Sequence, residues 1–208
     1  MLVFKKAETE EELAEVYRLR FKVYCRERNF ESEEDYPSQC EIDEYDSYAI
    51  HFIAFAGDEA VGTARIILNN AQGFPIERNC ILTTPIKGGK KAQTVEISRF
   101  AVSREVASRY NCDRQSIVLG LIREVFLESK YIGIEYFYAA MAKSFHKLLA
   151  RCGIVFLQAG PVVNYHGPRA PYVTWIRNIE EGTFMKDINF FRYLTTPDST
   201  PQSLLQAS

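Results

Sequence analysis

The chain has 208 residues, 47% of them hydrophobic and 13% aromatic, enough apolar side chain to bury one sizeable core. Its 25 basic and 27 acidic residues leave a formal net charge of -2, which excludes the broad basic footprint of a protein that coats nucleic acid. No apolar run approaches the roughly 20 residues a membrane helix needs, and the opening Met1-Leu-Val-Phe-Lys-Lys lacks the order of a signal peptide, so the expected location is the cytoplasm.

Residues 2 to 6 predict a short strand, and Glu8 to Arg28 predict a helix with Thr9 as N-cap and Glu12 three positions on. Leu13, Val16, Tyr17, Phe21 and Tyr24 form its apolar stripe; Arg20 sits in the same stripe, where a solvated charge would not be placed, and so needs an anionic partner. Residues 49 to 56 and 60 to 68 read as a hairpin across Gly57-Asp58-Glu59, with Arg65 in its second strand. The stretch 69 to 92 is too long for a simple turn and is expected to cover a site.

Thr94 to Ser103 predicts a strand, Asp113 caps a helix running to about Lys130, Tyr136 to Met141 is a strand, and Phe145 to Cys152 is a short amphipathic helix ended by Gly153. Ile154 to Gln158 reads as a strand, Pro161 to Pro171 as a loop carrying Tyr165-His-Gly-Pro-Arg169, and Tyr172 to Ile176 as a last strand. The order implies an α/β (α+β) fold, a mixed sheet flanked by helices, in a single domain over residues 1–195 with a polar tail at 196–208 expected to be disordered. Cys25, Cys40, Cys80, Cys112 and Cys152 show no metal-ligand spacing, so they read as reduced thiols and no metal is expected.

The chemistry concentrates in Val95-Glu-Ile-Ser-Arg-Phe100, where a strand built for burial carries a carboxylate, a hydroxyl and a guanidinium. Strict alternation places Glu96, Ser98 and Phe100 on one face and Arg99 on the other, so all four reach one site only if a bulge re-aims the strand. The competing reading is an ion-pair network that fixes the sheet. A second constellation sets the acidic run Glu41-Ile-Asp-Glu-Tyr-Asp46 against Arg20, Arg65 and Arg99, whose planar forks suit bidentate carboxylates of the protein or of a substrate. These arginines exceed what Asp43 and Asp46 can pair one to one; either a substrate carboxylate completes the set, or Glu41, Glu44 or Glu96 neutralises the extra arginine internally.

Tyr17-Arg-Leu-Arg20 with Tyr24 and Phe30, Asp43-Glu-Tyr-Asp46, Val61-Gly-Thr-Ala-Arg65 and Glu96-Ile-Ser-Arg-Phe100 occur in an order that resembles the acyl-homoserine-lactone synthases and the long-chain N-acyl amino acid synthases of the GNAT superfamily, over roughly residues 10 to 160. The lactone synthases usually carry phenylalanine and tryptophan where this chain has Tyr24 and Phe30, and the loop Tyr165-His-Gly-Pro-Arg169 is similar to the amino acid synthases and exosortase-associated acyltransferases. The resemblance thus implies a GNAT fold and transfer of a long acyl chain to an amino acid acceptor. The chain lacks the Arg/Gln-x-x-Gly-x-Gly/Ala turn that grips coenzyme A pyrophosphate in many GNAT enzymes, which favours the acyl-phosphopantetheine of acyl carrier protein as donor over acyl-CoA, with no bound cofactor. Glu96 is expected as general base, Ser98 and Arg99 as catalytic neighbours, and Arg20, Tyr24, Phe30, Asp43, Asp46, Arg65, Phe100, His166 and Arg169 as the acceptor and substrate side. The alternatives are a lactone synthase using S-adenosylmethionine and a catalytically silent module that binds acyl carrier or lipid.

Overall fold

The computed structural model describes residues 1–86 and 88–197; the polar tail expected at 196–208 therefore lies almost wholly outside the described residues. These group into two compact units, Met1–Ile66 with Ser98–Val125, and Ile67–Ile97 with the residues from Phe126 onward.

In the first unit, β1 (Leu2–Lys6) pairs antiparallel with β2 (Ala49–Ala56), followed in strand order by β3 (Glu59–Leu68) and the second half of β4 (Thr94–Val102). Helix α1 (Glu10–Phe21) starts at the expected capping box: Thr9 accepts from the Glu12 N–H, and the Glu12 carboxylate reaches back to the Thr9 N–H. The helix expected through Arg28 changes its winding at Lys22 and runs as a π-helical segment to Glu27, a distortion common beside functional side chains. Val16, Leu19 and Val23 pack with Ile53, Ala60 and Ala101 in one buried cluster. Helices α3 (Arg104–Arg109) and α4 (Arg114–Tyr131) follow β4. Gly120 on α4 lies under the Phe4 ring, where a Cβ would stand 2.3 Å from the ring carbons, so only glycine lets this helix approach β1 so closely.

In the second unit the order is β4, β5 (Tyr136–Met141), β8 (Pro168–Trp175) and β6 (Leu157–Gln158), with β7 (Val163–Asn164) also paired to β8. β4 and β5 are parallel, from Thr94↔Tyr136 to Ile97↔Ala139, while β8 runs antiparallel to β5. Helices α2 (Pro75–Asn79), α5 (Lys143–Arg151), α6 (Ile176–Lys186) and α7 (Ile188–Thr195) complete the unit.

Three expectations are corrected here. The strand expected over Ile154 to Gln158 is only Leu157–Gln158. The stretch 161 to 171 is not a plain loop but a hairpin that turns at His166 and Gly167, both with positive φ, so the last strand begins at Pro168 rather than Tyr172. Beyond it stand two helices, α6 and α7, which the sequence pattern does not announce. Among the described residues no helix is long and apolar enough to cross a membrane.

Candidate functional site

The first unit holds a closed ring of alternating charge. Arg20, fully buried in the apolar stripe of α1, donates to Glu41 Oε2 at 2.5 Å and embraces Asp46 through both terminal nitrogens at 2.7 and 3.2 Å. Arg65, equally buried on β3, meets Asp43 at 2.6 and 2.9 Å and Asp46 at 2.5 Å. Arg99 closes the circuit at 2.9 Å from both Glu41 and Asp43. Each guanidinium thus bridges two carboxylates and each carboxylate two guanidiniums, the arrangement for which arginine's planar fork is suited.

The loop that supplies the carboxylates is folded by them. The Asp43 N–H donates to Asp46 Oδ2 at 2.8 Å, the Tyr45 N–H donates to Asp43 Oδ1 at 2.9 Å, and the Glu41 N–H donates to the Tyr17 carbonyl at 3.1 Å. Short acidic side chains can organise a turn around their own backbone in this way. The supposed arginine surplus disappears, because Glu41 is the third partner of the ring.

β4 departs from strict alternation at Arg99. Arg99 has φ 48, a left-handed conformation uncommon outside glycine, and consecutive side chains consequently meet one network: Ser98 Oγ accepts from Arg65 Nε at 3.0 Å while Arg99 joins Glu41 and Asp43. The Arg99 guanidinium lies 5.8 Å from the Tyr24 ring, and Tyr24 stacks on Phe30 with centroids 6.3 Å apart. Phe100 follows on the same strand, partly buried. One contact had no sequence signal: Glu27, inside the predicted helix, accepts from the Arg104 N–H at 2.9 Å and pairs with Ser103 Oγ at 2.5 Å, tying the π-helical segment to the end of β4.

Exposure divides the ring. Arg20, Glu41, Asp46 and Arg65 are sealed, whereas the side chains of Arg99 and Asp43 remain 16% and 17% exposed. Burial pushes Asp46 towards the neutral acid, but the Arg20 charge and hydrogen bonds, helped by Arg65, outweigh it and hold the carboxyl far below its usual range. Glu41 and Asp43 are likewise depressed, against burial, by Arg20 and Arg99 and by Arg65 and Arg99 respectively.

His51 on β2 lies beside the ring, with Nε2 3.6 Å from Asp46 Oδ1 and its ring edge-on to Tyr17. Burial lowers its pKa from 6.5 to about 4, with Asp46 opposing and Arg20 and Arg65 assisting. The unfolded chain therefore binds this proton more readily, so the stabilisation is complete above about 6.5 and is lost as pH falls towards about 4. At about 1.4 kcal/mol per pKa unit, denaturant unfolding should record a loss on the order of 3 kcal/mol across that window, and His51→Phe should remove this step. The ring carboxylates, depressed rather than raised, lose their contribution only at lower pH, as the solution falls through their folded values.

In the second unit, Glu96 is buried in β4 opposite Tyr138 of β5, and its Oε2 accepts from the Ile76 N–H at 2.8 Å. Ile76 belongs to the first turn of α2, so the stretch 69 to 92 does fold onto a candidate side chain. Tyr138 OH accepts from the Ile86 N–H at 2.5 Å and packs edge-on against Phe74, holding the same stretch. His166 and Arg169 belong to the β7–β8 hairpin: His166 occupies its turn beside Tyr165, and Arg169 pairs in register with Val163. His146 stacks on Tyr172 and bonds the Phe156 carbonyl at 2.9 Å.

Residues 19–114 match the family model described as an acetyltransferase (GNAT) domain. The fold agrees over nearly the whole chain with FeeM, an N-acyl amino acid synthase from uncultured soil microbes, at TM-score 0.63 and 18% identity, covering 90% of this chain and 98% of that one. This chain has the GNAT fold. LasI, an acyl-homoserine-lactone synthase, matches with TM-score 0.68 and 18% identity over 85% of this chain and 90% of its own. BjaI, a CoA-dependent synthase of the same product class, matches with TM-score 0.67 and 18% identity over 91% and 89%. The resemblance read from the ordered motifs and the mixed-sheet expectation are both met by this GNAT fold.

Proposed function

We propose that this chain is an N-acyltransferase that passes a long acyl chain from acyl carrier protein to the amine of an amino acid, in the cytoplasm. The observation that carries the reading is β4 itself: a buried carboxylate at Glu96 and, three residues later, a left-handed Arg99 whose guanidinium is the open edge of an otherwise sealed ring. Transfer from a thioester needs a deprotonated amine, a stabilised carbonyl oxygen and held reactants. Glu96 takes the amine proton, directly or through a water; the amine attacks the thioester carbon; backbone N–H groups between Ser98 and Phe100 hold the oxyanion; and the carrier thiolate leaves. Arg99 and Asp43 present the accessible cation and anion that fit an acceptor's carboxylate and amine, while Arg20, Arg65, Glu41 and Asp46 hold that pair in place. Tyr24, Phe30 and Phe100 suit an apolar or ring-bearing acceptor side chain. His166 and Arg169 of the second unit are kept as candidate substrate residues.

The test is incubation with loaded carrier and a mixture of amino acids, with products read by mass. Tyrosine, leucine and glycine should react better than their carboxamides, and Arg99→Lys should raise the KM for the free acids selectively. Equal KM for acids and amides in wild type and variant would remove any carboxylate reader.

The carrier is expected to dock on α5, where Lys143, Lys147 and Arg151 recur every fourth residue, all exposed and with no ion pair among the described residues. Lys91, by contrast, is engaged by Glu77 at 2.8 Å, and Lys90 lies 5.3 Å from the Tyr136 ring. Lys87, whose basic run with Lys90 and Lys91 also suits an acidic carrier, lies outside the described residues. Acidic carriers are steered by such surfaces, so charge reversal at Lys143 and Lys147 should raise the carrier KM by about tenfold (about 1.4 kcal/mol), and added salt should act in the same direction. Equal, salt-independent rates with acyl-CoA would instead favour the donor named for BjaI.

The likeness to LasI favours a second reading, lactone synthesis from S-adenosylmethionine. Release of methylthioadenosine with product would select it.

A further inference from the structure

The corner between α6 and α7 carries an unbroken run of exposed residues. Six consecutive residues, Phe184 to Asn189, are exposed, and three of them are large and apolar: Phe184 at 53%, Met185 at 83% and Ile188 at 40%. The inner faces of the same helices are satisfied, since Ile179 and Thr183 of α6 and Phe190, Tyr193 and Leu194 of α7 are buried. Asp187 caps α7 by accepting from the Asn189 and Phe190 N–H groups at 2.8 and 3.1 Å, and Phe184 packs edge-on against Phe191 at 5.4 Å. The apolar side chains are thus held outward on a rigid, capped corner.

Cations accompany them. Lys186 lies within the exposed run, and Arg192 follows Ile188 by four residues and so shares its helical face. Both are exposed and have no ion pair among the described residues, whereas the acidic residues of α6 are occupied: Glu180 bonds Lys130, and Glu181 bonds Arg177 at 2.6 Å.

From this corner we infer that the protein docks on an anionic lipid surface through Phe184, Met185 and Ile188, with Lys186 and Arg192 on the headgroups. Apolar insertion at the acyl boundary combined with attraction to anionic headgroups is the chemistry of interfacial binding. A second copy fits less well. Three side chains fall far short of the about 800 Å² per partner that a stable interface buries, and a twofold contact through this corner would bring Lys186 and Arg192 towards their own copies. The inference rests on the proposed function only for its use, because a long-chain N-acyl amino acid partitions into membrane; the surface chemistry stands without it.

The experiment is flotation of the full chain with vesicles of pure phosphatidylcholine and of equal parts phosphatidylcholine and phosphatidylglycerol. The wild type should float with the mixed vesicles, less so at high salt, and stay behind with the neutral ones. Met185→Glu and Lys186→Glu should each cut the floated fraction about tenfold, and Met185→Leu should retain it. Thermal melting of each variant, and acyl transfer from a soluble donor, should match the wild type. Wild-type protein that ignores anionic vesicles would overturn the inference, as would a Met185→Glu variant that floats normally. A concentration-dependent dimer abolished by Met185→Glu, without flotation, would assign the corner to a second copy instead. Flotation by a protein that transfers no acyl group would leave this inference standing and remove the proposed function.

Discussion

Replacing Glu96 by Gln should slow acyl transfer by about 10²–10⁴-fold, the range for loss of a positioned base, while leaving the fold intact. The amide has nearly the shape of the carboxylate and retains an oxygen able to accept the Ile76 N–H that now bonds Oε2 at 2.8 Å. The bond to α2 also gives Glu96 a structural role, so rate and stability must be read together. Single-turnover transfer with saturating acceptor, set beside a denaturant melt of the same protein, separates them. A variant that melts like the parent but turns over slowly identifies the base. One that turns over at the parent rate at neutral pH leaves Glu96 as the anchor of the stretch 69 to 92 and moves the base elsewhere.

Arg20→Leu should be the most destabilising single change in the ring. It deletes a fully buried cation that bonds Glu41 and Asp46, leaving three carboxylates to share two guanidiniums in a sealed place. Breaking a buried pair from one side costs about 3–5 kcal/mol, which for a chain of this size lowers Tm on the order of 10 °C. The surface pair Arg109–Glu59, half-exposed at 2.6 Å, is the control, with Arg109→Ala expected to cost under about 1 kcal/mol. Adding Glu41→Gln to Arg20→Leu restores the balance of charge and should recover part of the loss, because the two residues touch and their effects are coupled. A loss within about 1 kcal/mol for Arg20→Leu alone would mean that the ring contributes to position and not to stability.

Local physics determined a good deal of this protein in advance. The Thr9–Glu12 capping box, the β2–β3 hairpin about Gly57, the helix opened by Asp113 and the strand at 94 to 102 follow from cap, turn and alternation signals within a few residues. Arg20 was legible for a sharper reason: a guanidinium in an apolar stripe is tolerable only if an anion is buried with it. The ordered motifs likewise point to the GNAT fold from the sequence alone.

Which anion, and how many, was left to packing. Glu41 is 21 residues from Arg20 and 58 from Arg99, and nothing local to the acidic run distinguishes it from Glu44. Only the folded chain makes it the third carboxylate and removes the apparent need for a substrate to complete the set. The left-handed Arg99 is similar. Alternation puts Ser98 and Arg99 on opposite faces, and the network they share with Arg65 overrides the preference of a non-glycine residue for negative φ. Gly182 weakens the helical pattern of α6 in the sequence, yet a Cβ there would stand 2.2 Å from the Gly153 carbonyl oxygen. Helix propensity speaks against glycine at that position by about 1 kcal/mol, and the close approach that demands it exists only once residues 153 and 182 meet. The first half of β8 has the same origin: the sequence announces a strand only from Tyr172, and the segment holding Pro168 and Pro171 joins it because β8 finds partners in β5, β6 and β7.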